Sequence, residues 1–292
     1  MGGGSIYKVI NGLYFSPTNN TKDAVHRILK DISTKLKIET MNFYDFTLVS
    51  SRKVKLEFDQ NDVVVIGVPV YAGRVPNLLL NYLKSIVTSG ALCIPVVTFG
   101  NRDFDDALIE LATIMEKSGF RVISAGAFVY PHSFSNRLAS DRPDERDLMT
   151  ISNFSEQSAI NIRGIIQNKL DKPDMKYESS VKTFSISAIK GEVPYRDYFK
   201  PVDKNGYVFE FRKIKPNTSN KCMKCNICVD LCPMGSIEKS NPQVINGKCI
   251  KCCACIKSCP INAKEFTDEN YIKHKIELEE LKDIRQEAYI CY

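Results

Sequence analysis

YFSPTNNTK, residues 14–22, stands between a short apolar run, residues 6–15, and an amphipathic run in which Val25, Ile28, Leu29, Ile32 and Leu36 recur at helical spacing. Seven polar or turn-forming residues fill the place where a strand hands over to a helix. Backbone N–H groups at a helix N-terminus point at an anion and the helix dipole favours its charge, so the arrangement suits a phosphate. Ser16, Thr18 and Thr21 add hydroxyl donors without a counter-charge. The competing reading is a helix cap by Ser16 or Thr18. The loop alone does not choose between them.

Outward from this loop, strand and helix signals alternate. Residues 63–70 (VVVIGVPV) form the continuous Val/Ile run of a parallel strand buried on both faces. Residues 78–86 read as a helix, 92–99 as a strand, 107–117 as a helix and 121–130 as a fifth strand, with the second around 38–46. After the Arg142-Pro143 breaker, residues 144–170 carry a further helix. This alternation predicts an α/β domain, residues 6–171, built on a doubly wound parallel sheet of five strands. From 172 to 212 the periodicity fades into a connecting segment, with Pro173, Pro194, Pro201, the turn Asp203-Lys-Asn-Gly206 and a hairpin expected at 207–211.

The chain of 292 residues suits about two domains, and 43% hydrophobic residues suffice for a buried core. Net charge is +6 without a concentrated Lys/Arg run, which predicts a mildly basic surface and no nucleic-acid partner. No run of ~18 apolar residues predicts a membrane span. The N-terminus offers no charged region followed by an apolar one, and residues 1–5 (MGGGS) read as a linker, so a cytoplasmic protein is expected. Eight of the eleven cysteines fall in two four-cysteine runs between Cys222 and Cys259, a pattern of metal binding in a reducing compartment rather than of disulfides.

Those eight form an internal repeat. Residues 221–242 (KCMKCNICVDLCPMGSIEKSNP) and 248–269 (KCIKCCACIKSCPINAKEFTDE) align at a 27-residue offset. Each contains C-x2-C-x2-C-x3-C-P, the spacing in which three cysteines hold one iron–sulfur cubane and the fourth reaches the other. Cluster I is assigned to Cys222, Cys225, Cys228 and Cys259, and cluster II to Cys249, Cys252, Cys255 and Cys232. The alternative is a pair of four-cysteine zinc sites, for which the proline after the fourth cysteine has no use. Cys253 reads as a packing residue and Cys93 as an inert core thiol, while Cys291 has no assigned role. Residues 213–267 hold nine lysines against three acidic residues, and two oxidised cubanes at roughly −2 each leave the module near neutral with a lysine-rich surface. An acidic redox partner is therefore expected. After Phe266 a charged helix, within residues 268–292, is expected to run to the C-terminus with Tyr271, His274, Leu278, Leu281 and Arg285 on one face.

The repeat resembles bacterial two-cluster ferredoxins over about 50 residues, with every expected ligand present. The 14–22 loop resembles the flavodoxin phosphate loop, Ser/Thr-x-Thr-Gly-Asn-Thr, matched as Ser16, Thr18, Asn19, Asn20 and Thr21. Asn19 replaces the glycine, and asparagine tolerates the left-handed turn this requires. The resemblance places the flavin ring of FMN between two further loops at carboxyl ends of strands: Pro69, Tyr71, Ala72, Gly73 and Arg74, and Phe99, Gly100, Asn101, Arg102 and Phe104. Arg74 or Arg102 at the flavin N1/O2 edge would favour the anionic reduced flavin, whereas solvent exposure is the plain alternative for both. His132 and Ser133, after the fifth strand, either line the ring or the contact with the ferredoxin module, or lie exposed. As a whole the chain resembles the flavodoxin–ferredoxin fusion family of anaerobic bacteria. That resemblance implies a flavodoxin-like α/β domain followed by a small α+β ferredoxin domain (213–267), with FMN and two 4Fe–4S clusters in one polypeptide.

Three functions stay open: an electron-transfer protein, an FMN-dependent reductase of a small acceptor fed by the clusters, and a redox or iron sensor. No GxGxxG follows a strand, so a built-in NAD(P) site is not expected. A redox protein, either an acidic ferredoxin or an oxidoreductase, is the expected partner. Whether flavin and clusters meet within one chain or across a homodimer is open.

Overall fold

The computed structural model describes residues 9–171, 184–202, 206–208, 210–281 and 284–292. Its centre is a sheet whose parallel strands are β1 (Val9–Tyr14), β2 (Thr40–Asp45), β3 (Val63–Pro69), β4 (Leu92–Phe99) and β5 (Ala125–Val129), in the spatial order β2-β1-β3-β4-β5. That is the flavodoxin-like order, with its switch point between β1 and β3. Strand β4 is buried along its whole length, as its nearly continuous apolar run requires, and pairs with β3 from Val63↔Leu92 to Pro69↔Thr98.

Helices α1 (Asn20–Leu36) and α4 (Glu145–Asp171) cover one face, and α2 (Leu80–Ser85) and α3 (Ala107–Lys117) the other. Gly67 on β3 admits α1: a Cβ there would lie 2.5 Å from Val25 Cγ2 and 2.8 Å from Thr21 Cγ2. The expected helix 78–86 begins as a 3-10 turn, Asn77–Leu79. The expected strand 121–130 is broken: Arg121–Val122 pairs with Leu92 and Cys93, then the Asn161 amide of α4 donates to the Ile123 carbonyl at 3.2 Å and interrupts the ladder.

Two expectations are corrected. The sheet has seven strands rather than five, because Arg121–Val122 stands apart from β5 and because β8 (Tyr289–Cys291) adds antiparallel to β5 with Tyr289 opposite Ala127. The C-terminal helix α7 (Glu269–Glu279) therefore stops well short of the terminus, and Leu281 and Arg285 leave its face. The charged run beyond α7 has no apolar stripe to bury. Asn101 holds it instead, donating from Nδ2 to the Leu281 and Ile284 carbonyls (3.3 and 2.9 Å) and accepting the Gln286 N–H (3.0 Å). The expected hairpin at 207–211 lies partly outside the described residues; within them Val202 and Val208 form an isolated antiparallel bridge.

The cysteine-rich module contains β6 (Asn217–Thr218) paired antiparallel to β7 (Lys264–Glu265), and two short helices, α5 (Ile227–Asp230) and α6 (Ala254–Lys257). It docks on the carboxyl edge of the large sheet. Arg52 Nη2 donates to the Pro233 carbonyl (2.6 Å), and Lys257 Nζ to the Ser135 carbonyl and Asn136 Oδ1 (3.1 and 3.0 Å). No helix among the described residues is long and apolar enough to cross a membrane.

Candidate functional site

A cavity of about 280 Å³ opens where the carboxyl ends of β1, β3, β4 and β5 meet the module. Ser16, Pro17, Thr18, Asn20 and Thr21 form its first wall. Asn19 adopts φ 66°, the left-handed turn that a glycine would take, and its carbonyl accepts the Asp23 N–H at 2.9 Å to start α1. Ser16 both lines the cavity and caps the helix, its Oγ accepting the Lys22 N–H at 2.9 Å. Capping and cavity lining thus coexist in one residue. Thr21 Oγ1 and Thr98 Oγ1 are hydrogen-bonded at 2.7 Å, and Asn20 Nδ2 donates to the Pro131 carbonyl at 2.9 Å, fixing the loop to its neighbours.

Pro69, Val70, Tyr71, Ala72 and Gly73 form the second wall. Ala72 and Gly73 have φ 51° and 78°, and Tyr71 and Arg74 exchange both backbone bonds across the turn. Phe99, Gly100, Arg102 and Asp103 form the third, with Tyr130, Pro131, His132, Ser133 and Phe134 beside them. A Cβ at Gly100 would lie 2.3 Å from His132 Cδ2, so the glycine lets the imidazole approach. Burial, then the charges of His274, Lys257 and Arg102, push the His132 imidazolium down to about 4. His132 is therefore neutral at pH 7. Its Nδ1 accepts the Phe134 N–H at 3.1 Å, which leaves the proton on Nε2.

Three expected ring residues and one phosphate-loop residue lie elsewhere or face away. Arg74 is clamped by both carboxylate oxygens of buried Glu110 (2.8 and 2.7 Å), donates to the Arg196 carbonyl, and lies over the Tyr195 and Tyr198 rings. It fastens the connecting segment and does not line the cavity. Phe104 packs inward between Phe99 and Tyr289. Asn101 serves the C-terminal segment, and Asn19 contributes backbone geometry rather than a lining side chain. Arg102 does line the cavity, paired with Asp105 and 4.8 Å from the Phe199 ring centroid.

The fourth wall comes from parts of the chain that carry no flavodoxin-type motif: Phe199, Pro201 and Phe211, then Ile250 and Lys251 of the module, and His274 and Leu278 of α7. Asp106, wholly buried, holds the connecting segment in place by accepting the Glu192 and Arg196 N–H groups (2.9 and 2.8 Å) and the Arg196 guanidinium (2.6 Å). Burial would raise its carboxyl, but the bonds from Arg196 and Glu192 outweigh that and hold it at about 2. Tyr198 OH donates to the Val75 carbonyl (2.8 Å), and Phe199 N–H to the Ala72 carbonyl (2.8 Å).

Two smaller cavities lie within the module. Cys222, Cys225, Cys228 and Cys259 line one; Cys232, Cys249, Cys252 and Cys255 line the other, together with Cys253. The interleaved reading puts the same two foursomes on separate clusters. Among the described residues no three His, Cys, Asp or Glu side chains converge to hold a single metal ion. Backbone N–H groups of Ser236, Ala263 and Lys251 donate to the sulfurs of Cys232, Cys259 and Cys249 (3.4, 3.2 and 3.4 Å). Ile250 lines both the Cys249 cavity and the large one. Tyr71 lines the large cavity; burial pushes its hydroxyl well up, and the charges of Cys252, Cys253 and Cys249 push it further. Cys253 is buried against Tyr271, 3.6 Å from its hydroxyl, and Cys93 is buried in β4 with its thiol pushed far up.

No family model matches the sequence, and no curated protein matches it. Solved structures similar to part of the chain include a flavodoxin from the domain Archaea, 15% identical, covering 53% of this chain and 99% of its own (TM-score 0.38). An NADH:FMN oxidoreductase in apo form is 15% identical over 52% of this chain and 89% of its own (TM-score 0.39). The flavodoxin of Fusobacterium nucleatum bound to flavin mononucleotide is 15% identical over 54% and 98% (TM-score 0.35). The strand order and crossovers, not these scores, define the fold of the first domain.

Proposed function

We propose that the chain is an electron-transfer protein that holds FMN in the large cavity and a 4Fe–4S cluster in each cysteine cavity. The residues suit these groups. The hydroxyl-lined end at the N-terminus of α1 carries no cation and offers backbone N–H groups to a phosphate. The opposite end offers the rings of Tyr71, Phe99, Phe134, Phe199 and Phe211 to a flat aromatic system. Each cysteine foursome combines soft donors, amide bonds to sulfur and apolar surroundings, which suit a cubane. Bound FMN would supply one- or two-electron capacity, and each cluster one electron.

The observation that carries the reading is the shared wall at Ile250, beside Tyr71, which makes the Cys249 cavity the neighbour of the flavin cavity within one chain. The Cys222 cavity shares no lining residue with the large one; exposed Met223 and Ile227 line it, and Cys225 is itself exposed. Lys221 and Lys224 flank that face, which is where an acidic redox partner would dock. Electron exchange with an acidic ferredoxin should slow as salt rises; salt-insensitive exchange counts against this partner. Anaerobic reconstitution should load one FMN and eight irons per chain, and reduced ferredoxin should reduce the protein while NADH and NADPH do not.

A reductase acting on a small acceptor is the second reading, favoured by His132 and His274 facing one cavity. Rapid nicotinamide oxidation or turnover of a small acceptor would select it.

A further inference from the structure

The two halves of the cysteine repeat are pseudo-symmetric in backbone as well as sequence. Lys224 and Lys251 both have φ 55°, Asn226 and Cys253 have 64° and 62°, and Gly235 and Asn262 have 58° and 51°. Helices α5 and α6 occupy equivalent places, each four residues long. At one interior position the two halves differ in charge. Five residues after the fourth cysteine, the first half has Ile237, 6% exposed, lining the Cys249 cavity. The second half has Lys264, 3% exposed, lining the Cys222 cavity.

The Lys264 ammonium donates to Thr218 Oγ1 at 2.7 Å and to the Pro242 carbonyl at 2.8 Å. Neither partner is charged, and among the described residues no carboxylate pairs with it. Burying an ammonium among neutral groups is costly unless an anion stands near. The cluster held by the first foursome would be that anion, because Lys264 lines the cavity of Cys222, Cys225, Cys228 and Cys259 and not that of the other foursome. The lysines near the other cavity are differently placed: Lys215 and Lys248 are exposed and Lys251 is half-buried, so solvent screens them more.

We propose that Lys264 sets the two clusters apart in potential, raising the one held by Cys222, Cys225, Cys228 and Cys259 so that an electron rests at the exposed end of the module. A positive charge favours the reduced, more negative cluster, and burial strengthens the effect. Nothing is transferred to or from the lysine; one electron moves between clusters, and Lys264 biases where it resides. The inference rests on the two-cluster reading above.

The test is an EPR-monitored redox titration of the holoprotein and of Lys264→Met, with iron counted first. Wild type should show two resolved cluster midpoints. In Lys264→Met the higher one should fall and approach the other, reducing the equilibrium preference of an electron for that cluster by about tenfold or more. Lys264→Gln, which keeps a donor for Thr218 or Pro242 without the charge, should do the same. Eight irons with both midpoints unmoved, or moved equally, overturns the assignment. So does loss of a cluster in both variants, which makes Lys264 structural. Wild-type protein that never holds eight irons contradicts the two-cluster reading instead.

Discussion

Asp106→Asn should loosen the segment that closes the flavin cavity, and its cost follows from the geometry. The carboxylate is wholly buried and accepts two backbone N–H groups and the Arg196 guanidinium. Its folded-state value of about 2 lies below the ordinary 3.8, and one unit corresponds to 1.36 kcal/mol, so ionised Asp106 stabilises the native state by up to about 2 kcal/mol. Arg196 is 45% exposed, so solvent screening makes this an upper bound. A depressed carboxyl contributes above its unfolded value and loses its contribution as pH falls from about 4 through about 2. Urea unfolding of cluster-free protein, followed by far-UV circular dichroism, should find Asp106→Asn less stable by about 1–2 kcal/mol at pH 7, with the gap closing as pH falls below about 4. FMN should also bind more weakly to the variant, because Phe199 and Pro201 ride on the released segment. A gap below about 0.5 kcal/mol at pH 7, or one unchanged down to pH 3, would refute the reasoning.

Four further outcomes follow from single contacts. Asn19→Gly should leave FMN affinity unchanged or improve it, since residue 19 sits at φ 66°, whereas Asn19→Val should cost about 1–2 kcal/mol of loop stability and weaken binding in a flavin titration. Arg102→Ala should lower the flavin midpoint in spectroelectrochemistry, while Arg74→Ala, whose charge is paired with Glu110 outside the cavity lining, should move it less. Gly100→Ala places a Cβ against His132 and should weaken FMN binding about tenfold or more, read by fluorescence quenching. Asn101→Ala removes three bonds to the C-terminal segment and should cost about 1–3 kcal/mol, with faster amide exchange at residues 284–291.

The sheet was legible where the code is local. Strands Val63–Pro69 and Leu92–Phe99 are nearly continuous apolar runs, and the two cysteine foursomes follow from ligand spacing that a 27-residue repeat states twice. The residues that close the cavity were not legible. Phe199, Phe211 and His274 reach it because Asp106, Arg74 and Asn101 anchor segments about 90 to 185 residues away, and no periodicity records such pairings. Arg74 carries an overlooked signal. Glu110 is a carboxylate on the apolar face of Ala107–Lys117 (ALIELATIMEK), where burial demands a cationic partner. Phe104 misleads for a related reason: its aromatic neighbour Tyr289 arrives from the far end of the chain, turning a loop residue into core.

The central claim is that FMN and the Cys249 cluster are neighbours in one chain, with the Cys222 cluster beyond. Stopped-flow spectroscopy after adding one electron per chain tests it directly, in wild type and in variants carrying Cys225→Ala or Cys252→Ala, each checked for four remaining irons. The account predicts first-order flavin–cluster exchange that is independent of protein concentration, kept in Cys225→Ala and lost in Cys252→Ala. Exchange whose rate scales with protein concentration, or that survives Cys252→Ala and fails in Cys225→Ala, would contradict it.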